Sequence, residues 1–295
     1  MTDNLRGALF MMASMATFTL NDACLKWLAQ DLPTFQVVAI RGVGATALVA
    51  ALAWATGALA RPIPRADRGP VLLRSAAEVA AFLPFVVALT HMPLANITAI
   101  LQALPLTITA AGALLLGERV GPRRWAAIGV GLAGVLLIVR PGTAGFDAWS
   151  LVALLTVAII TARDLITRRI SPATPSLKVA ILTAAGVTAL GAALSLGEPW
   201  RPVAPAQGGV IALAAAFVLG GYLFSILAMR SGEVAVVTPF RYTAMLWGLL
   251  LGALVFGERP DAATLAGAGL VVAAGLYTLW REAGRAPAPR PAAPR

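Results

Sequence analysis

The feature that most constrains this chain is a succession of ten long apolar segments, separated by short clusters of charge, proline and glycine. A bilayer core about 30 Å thick needs roughly 20 apolar residues of helix, and each segment is close to that length. The pattern predicts helices over approximately residues 6–29, 34–58, 69–90, 93–117, 122–140, 148–170, 176–197, 207–230, 234–257 and 262–281. We therefore expect an all-α membrane protein with ten transmembrane helices.

Composition supports lipid as the solvent of this chain. Hydrophobic residues make up 59% of the sequence and charged residues 12%, whereas a soluble domain is usually about 25% charged. The net charge of +10 could suggest nucleic acid, but the basic residues lie in short clusters between apolar runs rather than along one stripe. Cys24 is the single cysteine, which excludes an intramolecular disulfide and a cysteine-rich metal site. We expect no cofactor, no metal and no nucleic-acid partner.

The distribution of basic residues predicts the orientation. With the N-terminus in the cytoplasm, about 15 arginines and lysines fall in inside segments and about 4 in outside segments. The outside set is Lys26, Arg140, Arg201 and Arg259. Cytoplasmic loops carry the excess of positive charge, so both termini are expected in the cytoplasm of a bacterial cell, with the protein in the inner membrane.

The chain repeats itself at an interval of about 140 residues. Residues 117–119 and 257–259 both read Gly-Glu-Arg, and each copy follows an apolar segment and precedes a glycine-rich one. Asp22 aligns with Asp164 at nearly the same interval. Since each half holds five helices, an odd number, the second half must be inverted relative to the first, as in many secondary transporters.

This repeat divides the chain into three parts. We expect a first five-helix repeat over residues 1–141, a second over residues 142–282, and a disordered basic tail rich in proline and alanine over residues 283–295.

These motifs resemble the EamA family of the drug/metabolite transporter superfamily, over about residues 5–281. The first half matches the family pattern with Pro105, Gly117-Glu118-Arg119 and the glycines of residues 129–134. The second half matches it with Gly257-Glu258-Arg259, Gly267, Gly269 and Gly275, but Met245 stands where the family has a second central proline, and Pro239 lies earlier. The resemblance implies ten helices, cytoplasmic termini and a central cavity lined mainly by helices 1, 3, 4, 6, 8 and 9.

Within the family, the sequence is similar to two branches. The whole chain looks most like the amino-acid exporter (YddG-type) branch. The Asn21-Asp22 pair and residues 239–242, Pro-Phe-Arg-Tyr, look like the branch that takes up S-adenosylmethionine. Family motifs identify a fold more strongly than a substrate.

Charged residues inside the predicted spans need a partner or a wet cavity, because a bare charge at the centre of a bilayer costs roughly 2.5–3.5 kcal/mol on translocon scales. Asp22 and Arg41 lie at one depth toward the outside, and Asp164 and Arg241 at one depth toward the inside. We interpret these as two charge pairs that make or break as each mouth of a pathway closes.

Static pairing remains an alternative for these four residues. Lys26 and Arg168 stand one helical turn beyond Asp22 and Asp164, so local pairs along one helix could neutralise both aspartates.

Glu78 lies near the middle of the third span, where substrate sites of such transporters are found. It could bind the ammonium group of a zwitterion or take up a proton, or it could pair with Arg74 one turn away. Polar and aromatic residues expected to complete a cavity with it are Asn21, Phe82, Gln102, Tyr222, Tyr242 and Trp247. Pro105 and Pro239 are candidate hinges, because proline interrupts helical hydrogen bonding.

The sequence thus predicts a secondary transporter for small amino acids or amino-acid-derived metabolites that works by alternating access, with export as the first choice. Uptake of S-adenosylmethionine or riboflavin is the alternative. A channel or scaffold is the competing class. An enzyme is disfavoured, because the chain carries no H-E-x-x-H, G-x-S-x-G or Walker motif and no catalytic residue set. The expected partners are the lipid bilayer and a small-molecule substrate, and both a monomer and a homodimer remain open.

Overall fold

The computed structural model describes residues 3–117, 120–140, 147–231 and 237–283. These residues form helices and no strands. In chain order the helices are α1 Asp3–Leu28, α2 Thr34–Ala55, α3 Arg68–His91, α4 in two parts Leu94–Leu101 and Leu104–Leu116, α5 Pro122–Val139, α6 Trp149–Thr167, α7 Ser176–Ser195, α8 Pro205–Ser231, α9 as a 3-10 turn Thr238–Tyr242 followed by Thr243–Phe256, and α10 Ala262–Ala283.

Within the described ranges, nine helical stretches are long and apolar enough to cross a membrane. The remaining apolar helix, Ala262–Thr278 within α10, is shorter. Many large apolar side chains on the outer surface are exposed, among them Leu72, Leu114, Leu115 and Leu254 at 71–74%. Because water would not tolerate so much exposed apolar surface, the chain is a multi-pass membrane protein.

Two of the spans are not regular helices. In α4 the helix breaks at Gln102 and Ala103, and the second part begins with Pro105 in its first turn, where a missing N–H costs no helical hydrogen bond. In α9 the described part opens as a 3-10 turn that contains Pro239. The irregularity in α9 therefore lies at this proline, and Met245 sits inside the regular helix that follows.

Helices that are far apart in sequence pack in a symmetric pattern. α1 packs on α8 and α3 on α6, while α2 packs on α7, α4 on α9 and α5 on α10. Exchanging each helix with its counterpart five places away in the chain converts the α1–α8 pair into the α6–α3 pair. The same exchange maps each of the other three pairs onto itself. A bundle of two related five-helix halves would produce this pattern.

The two Gly-Glu-Arg copies begin in the same backbone conformation. Gly117 ends α4 with φ 69°, and Gly257 ends α9 with φ 65°. A left-handed residue at this position is a common helix terminator that glycine adopts without a Cβ penalty. Residues 118–119 of the first copy lie outside the described residues, as does the predicted basic tail beyond residue 283.

We call the end of the bundle where α1 begins the near end, and the end where α1 finishes and α2 begins the far end. Fully buried apolar side chains concentrate toward the far end, where α1, α2, α3 and α4 meet; they include Leu25, Leu28, Val37, Leu89 and Ile97. A smaller buried cluster of Met11, Ala228 and Val237 lies toward the near end. The buried apolar contacts are therefore concentrated toward the far end of the bundle.

The crossing of α5 and α10 depends on two glycines. A Cβ added at Gly134 would lie 2.6 Å from the carbonyl oxygen of Gly267, and one added at Gly267 would lie 2.5 Å from the carbonyl oxygen of Gly134. Both obstacles are backbone atoms, so a side chain at either position must push the helices apart. Small residues allow such close approach between membrane helices.

We predict that Gly134→Ala and Gly267→Ala each lower stability by about 1–3 kcal/mol through overpacking. The measurement is the melting temperature of the purified protein in detergent. Gly129→Ala and Gly269→Ala are matched controls in the same two helices, because an added Cβ meets nothing within 4 Å there. Equal melting temperatures for the test and control variants would contradict a close glycine crossing.

Candidate functional site

A cavity of about 270 Å³ lies among α1, α2, α3, α4, α6, α7 and α8. Its polar lining comes from six residues on five helices, which are Asn21, Asp22, Arg41, Glu78, Thr183 and Tyr222. Three phenylalanines, Phe18, Phe82 and Phe85, and several aliphatic side chains form the rest of the wall. An apolar pocket with a few convergent polar groups is the usual form of a small-molecule site.

Arg41 reaches α1 through an amide rather than directly through a carboxylate. Its Nη1 donates a 2.7 Å hydrogen bond to Oδ1 of Asn21, and Nδ2 of Asn21 donates a 3.0 Å hydrogen bond to Oδ1 of Asp22. The guanidinium also lies 5.9 Å from the centre of the Phe82 ring. The sequence placed Asp22 opposite Arg41, and the structure brings both to the cavity with Asn21 between them.

Glu78 is bound by two arginines from different helices. Its Oε2 lies 2.8 Å from Nη1 of Arg163 and 3.1 Å from Nη2 of Arg74. Arg74 Nη1 also donates a 2.6 Å hydrogen bond to Thr183 on α7. Glu78 therefore couples α3 to α6, and the local Arg74 pair considered from the sequence is one part of a larger network.

Asp164 is paired with its chain neighbour. Nη2 of Arg163 lies 2.7 Å from Oδ1 of Asp164, so Arg163 bridges Asp164 and Glu78. Among the residues that the structure describes, no carboxylate lies within 4 Å of Arg241, although Asp164 attracts it at longer range. Arg163, the chain neighbour of Asp164, makes the contact with this aspartate that was expected for Arg241.

Arg163 was absent from the intramembrane charges recognised in the sequence. It precedes Asp164 and is therefore one residue deeper in the sixth span. Since Asp164 was already counted as intramembrane, the same depth argument would have included Arg163.

The other predicted cavity residues divide into two groups. Phe82 and Tyr222 line the cavity, and the Tyr222 ring packs edge-on against Phe18 with centroids 5.7 Å apart. Gln102 is buried and donates from Nε2 to the carbonyl oxygen of Tyr242 at 3.2 Å, across the α4–α9 contact. Tyr242 is also buried and packs its hydroxyl against Gly275 of α10. These two residues join helices beside the cavity.

Four more candidates lie away from the cavity wall. Trp247 is on the regular part of α9, and its Nε1 is buried with no hydrogen-bond partner in the described part of the chain. Arg241 and Pro239 are in the 3-10 turn that opens α9, and Pro105 follows the break in α4. Both candidate hinges therefore coincide with irregular backbone.

At the far end, Glu258 connects the turn after α9 to α1 and α4. Its Oε1 accepts hydrogen bonds from Nζ of Lys26 at 2.9 Å and from the backbone N–H of Leu94 at 2.8 Å. Its Oε2 accepts from the N–H of Ala95 at 3.2 Å, and Lys26 also donates to the carbonyl oxygen of Met92. The carboxylate thus caps the N-terminus of α4, where unpaired N–H groups and the helix dipole favour negative charge.

The geometry explains why Glu258 follows Gly257 in the motif. The left-handed glycine turns the chain back over the end of α9, and the N–H of Glu258 bonds to the carbonyl oxygen of Gly252 at 2.9 Å. This turn aims the carboxylate at α4. The sequence singled out the Gly-Glu-Arg motif as a sign of the repeat and of the family, and the contact partners of Glu258 could not be read from spacing.

A second carboxylate caps α2 at the same end. Oε2 of Glu198, in the connection between α7 and α8, accepts from the backbone N–H groups of Phe35 at 3.0 Å and Gln36 at 3.1 Å. The Gln36 side chain in turn donates to the carbonyl oxygen of Arg201 at 2.7 Å. The far ends of α2 and α4 are therefore both held by carboxylates from the other half of the chain.

Comparison with known proteins gives consistent results. The EamA-like transporter family matches the chain twice, over residues 5–140 and 147–280. A solved crystal structure superposes with a TM-score of 0.66 at 19% identity, covering 95% of this chain and 99% of that chain, which supports the fold.

Three curated relatives are named as transporters. The pseudopaline exporter CntI of Pseudomonas aeruginosa is 25% identical over 269 residues, 91% of this chain and 94% of the relative. The S-adenosylmethionine uptake transporter of Rickettsia prowazekii is 24% identical over 94% of both chains. A riboflavin transporter of Rhizobium johnstonii is 26% identical over 198 residues, 67% of this chain and 66% of the relative. Their names agree on transport and differ in substrate and direction.

We predict that Lys26 and Glu258 are energetically coupled, because both side chains are largely buried, with exposures of 13% and 11%. Lys26→Met and Glu258→Gln should each lower the melting temperature in detergent. The loss of unfolding free energy in the double variant should be smaller than the sum of the two single losses by about 1–2 kcal/mol. As a control, Lys26→Met combined with Asp261→Asn should be additive, since Asp261 pairs with Arg140 instead. Additivity in the Lys26–Glu258 cycle would contradict the coupling.

Proposed function

The chain belongs to the EamA-like transporter family, and on that premise we propose that it exports small amino acids or amino-acid-derived metabolites across the bacterial inner membrane. It acts as a secondary transporter that exposes one binding cavity to each side in turn. The family and the names of its relatives indicate a transporter rather than an enzyme.

The observation that carries this proposal is a cavity between membrane-spanning helices that holds both signs of charge. Arg41 lies on its wall together with Asp22 and Glu78. Charged groups are costly at this depth and usually mark a substrate pathway. An amino acid has a carboxylate and an ammonium group, and a site with opposite charges complements both.

The walls of the cavity suit the remainder of such a molecule. Phe18, Phe82 and Phe85 offer aromatic faces, and aliphatic side chains complete the lining. A volume of about 270 Å³ lies just below the 300–1,000 Å³ range of small-molecule sites. This size favours a single amino acid or a small derivative.

Uptake of S-adenosylmethionine or riboflavin is the second candidate. The relatives from Rickettsia prowazekii and Rhizobium johnstonii carry these names and support it. S-adenosylmethionine contains a methionine head group and could use the same charges. Both molecules are larger than an amino acid, so we rank them below it for this cavity.

For the transport cycle we propose inverted repeats over residues 1–141 and 142–282, with both termini in the cytoplasm. The far end then faces the periplasm. Its opening would require the Lys26–Glu258 contact and its cap on α4 to separate.

The irregular backbone near Pro105 and Pro239 supplies places where α4 and α9 can bend. We further propose that Asp22 and Arg41 stay linked through Asn21 while the far mouth is closed and separate as it opens, and that Asp164 and Arg241 approach each other as the near mouth closes.

Counterflow in proteoliposomes tests this function. Vesicles containing the purified protein are loaded with unlabelled substrate and given labelled phenylalanine, threonine, methionine, S-adenosylmethionine or riboflavin, with and without a pH gradient. We expect saturable amino-acid flux that other amino acids compete for. Flux of S-adenosylmethionine or riboflavin alone would overturn the amino-acid proposal in favour of the second candidate.

A cavity-filling variant locates the site in the same assay. Ala184 lines the cavity, whereas Ala185 on the same helix is exposed on the outer surface. Ala184→Phe should weaken the apparent substrate affinity by roughly tenfold or more, equivalent to about 1.4 kcal/mol of lost binding, and should lower the flux. Ala185→Phe should retain flux. Equal flux through both variants would place the substrate elsewhere.

A further inference from the structure

Arg41, Asn21 and Asp22 form a linear chain of polar contacts along one wall of the cavity. The guanidinium donates to the amide oxygen of Asn21, and the amide nitrogen donates to the carboxylate of Asp22. All three residues line the cavity, and Arg41 is only 5% exposed. Arg41 and Asp22 hold the Asn21 amide from its two ends. Their opposite charges fix its orientation, with the oxygen toward Arg41 and the nitrogen toward Asp22.

The bonded amide presents the same pattern as the head group of an amino acid. Its acceptor oxygen faces the cation, as an α-carboxylate would, and its donor nitrogen faces the anion, as an α-ammonium would. In both cases acceptor and donor are separated by very few bonds. The space between Arg41 and Asp22 therefore accommodates a short group with an acceptor at one end and a donor at the other.

Both charged residues retain unused hydrogen-bonding capacity. A guanidinium has five N–H donors and a carboxylate about four acceptor sites. Among the described contacts, Nε of Arg41 is buried without a partner. A buried donor without a partner is costly, so a bound oxyanion at this position would recover free energy.

We propose that Arg41 binds the α-carboxylate and Asp22 the α-ammonium of the transported molecule, in competition with the Asn21 amide, which bridges the two residues when the carrier is empty. This inference rests on the proposed function and names the head-group contacts of that site. The side chain of the substrate then lies against the Phe82 wall beneath the guanidinium.

The arrangement assigns a different role to Glu78. Its Oε2 already accepts from two arginines, Arg74 and Arg163. Asp22 has no cation within 4 Å among the described residues and accepts only from Asn21. Asp22 is therefore the carboxylate available to a substrate ammonium, and Glu78 organises the opposite wall.

Competition with substrate analogues that each lack one charged group tests the proposal. Phenylalanine, threonine and methionine are each compared with their methyl ester, which lacks the carboxylate charge, and their deaminated acid, which lacks the ammonium. For the wild-type protein, both analogues should compete at least roughly tenfold more weakly than the amino acid, as expected from one lost charge-assisted contact.

Two variants should change this selectivity in opposite ways. Arg41→Gln should remove the preference for the amino acid over its ester and keep the preference over the deaminated acid. Asp22→Asn should do the reverse. Arg41→Lys retains the cation and should retain the preference over the ester, which keeps the test decisive if Arg41→Gln does not fold.

Arg74→Gln is the matched control, since it removes a guanidinium that is also largely buried but does not line the cavity. It can lower the flux but should leave both preferences unchanged. If Arg41→Gln and Asp22→Asn weaken all three ligands equally, their roles are structural and the proposal is overturned. If the wild-type protein carries none of the three amino acids, the proposed function fails first, which the counterflow assay reports separately.

Discussion

Charge placed among membrane-spanning helices must be neutralised within the protein, and the centre of this molecule is organised by that requirement. Arg74 of α3 and Arg163 of α6 pair with Glu78 and Asp164, while Arg41 of α2 donates to Asn21 and keeps a buried N–H without a partner among the described residues. Lipid offers no hydrogen bonds, so the contacts between helices, Arg163–Glu78 and Arg41–Asn21, also fix helix positions. Three of these residues, Arg41, Asn21 and Glu78, line the cavity, so the contacts that compensate the charges also position part of its wall.

The far end uses carboxylates in a different way. Glu258 and Glu198 cap the N-termini of α4 and α2, and Lys26 adds a cation to the first of these sites. Each glutamate comes from the second half of the chain and holds a helix of the first half. Such contacts are strong but local, because a helix terminus presents only a few free N–H groups. They can hold one end of a bundle closed and still be broken by a modest movement of the opposite half.

Separation of these two features suits a transporter. The charges around the cavity lie at mid-helix, whereas the caps lie at the helix ends. The close crossing of α5 and α10 at Gly134 and Gly267 lies away from the cavity and joins the last helix of each half. This crossing holds the two halves together without occupying the cavity.

The sequence by itself determined the class of protein, because the length and apolarity of the segments leave a helical membrane bundle as the favoured solution. It also determined the two related halves, and it proposed Asn21, Glu78, Phe82 and Tyr222 as cavity residues and Asp22 and Arg41 as a charge pair near one mouth. The structure brings all six to one cavity. The contacts among them were decided only by the tertiary structure. Depth along a helix can be counted from the sequence, but rotation about its axis and the reach of a neighbour such as Arg163 cannot. For the same reason, Gln102 and Tyr242 lie at a plausible depth but face a helix contact, and Glu258 acquires its role from the α4 terminus that folding places beside it.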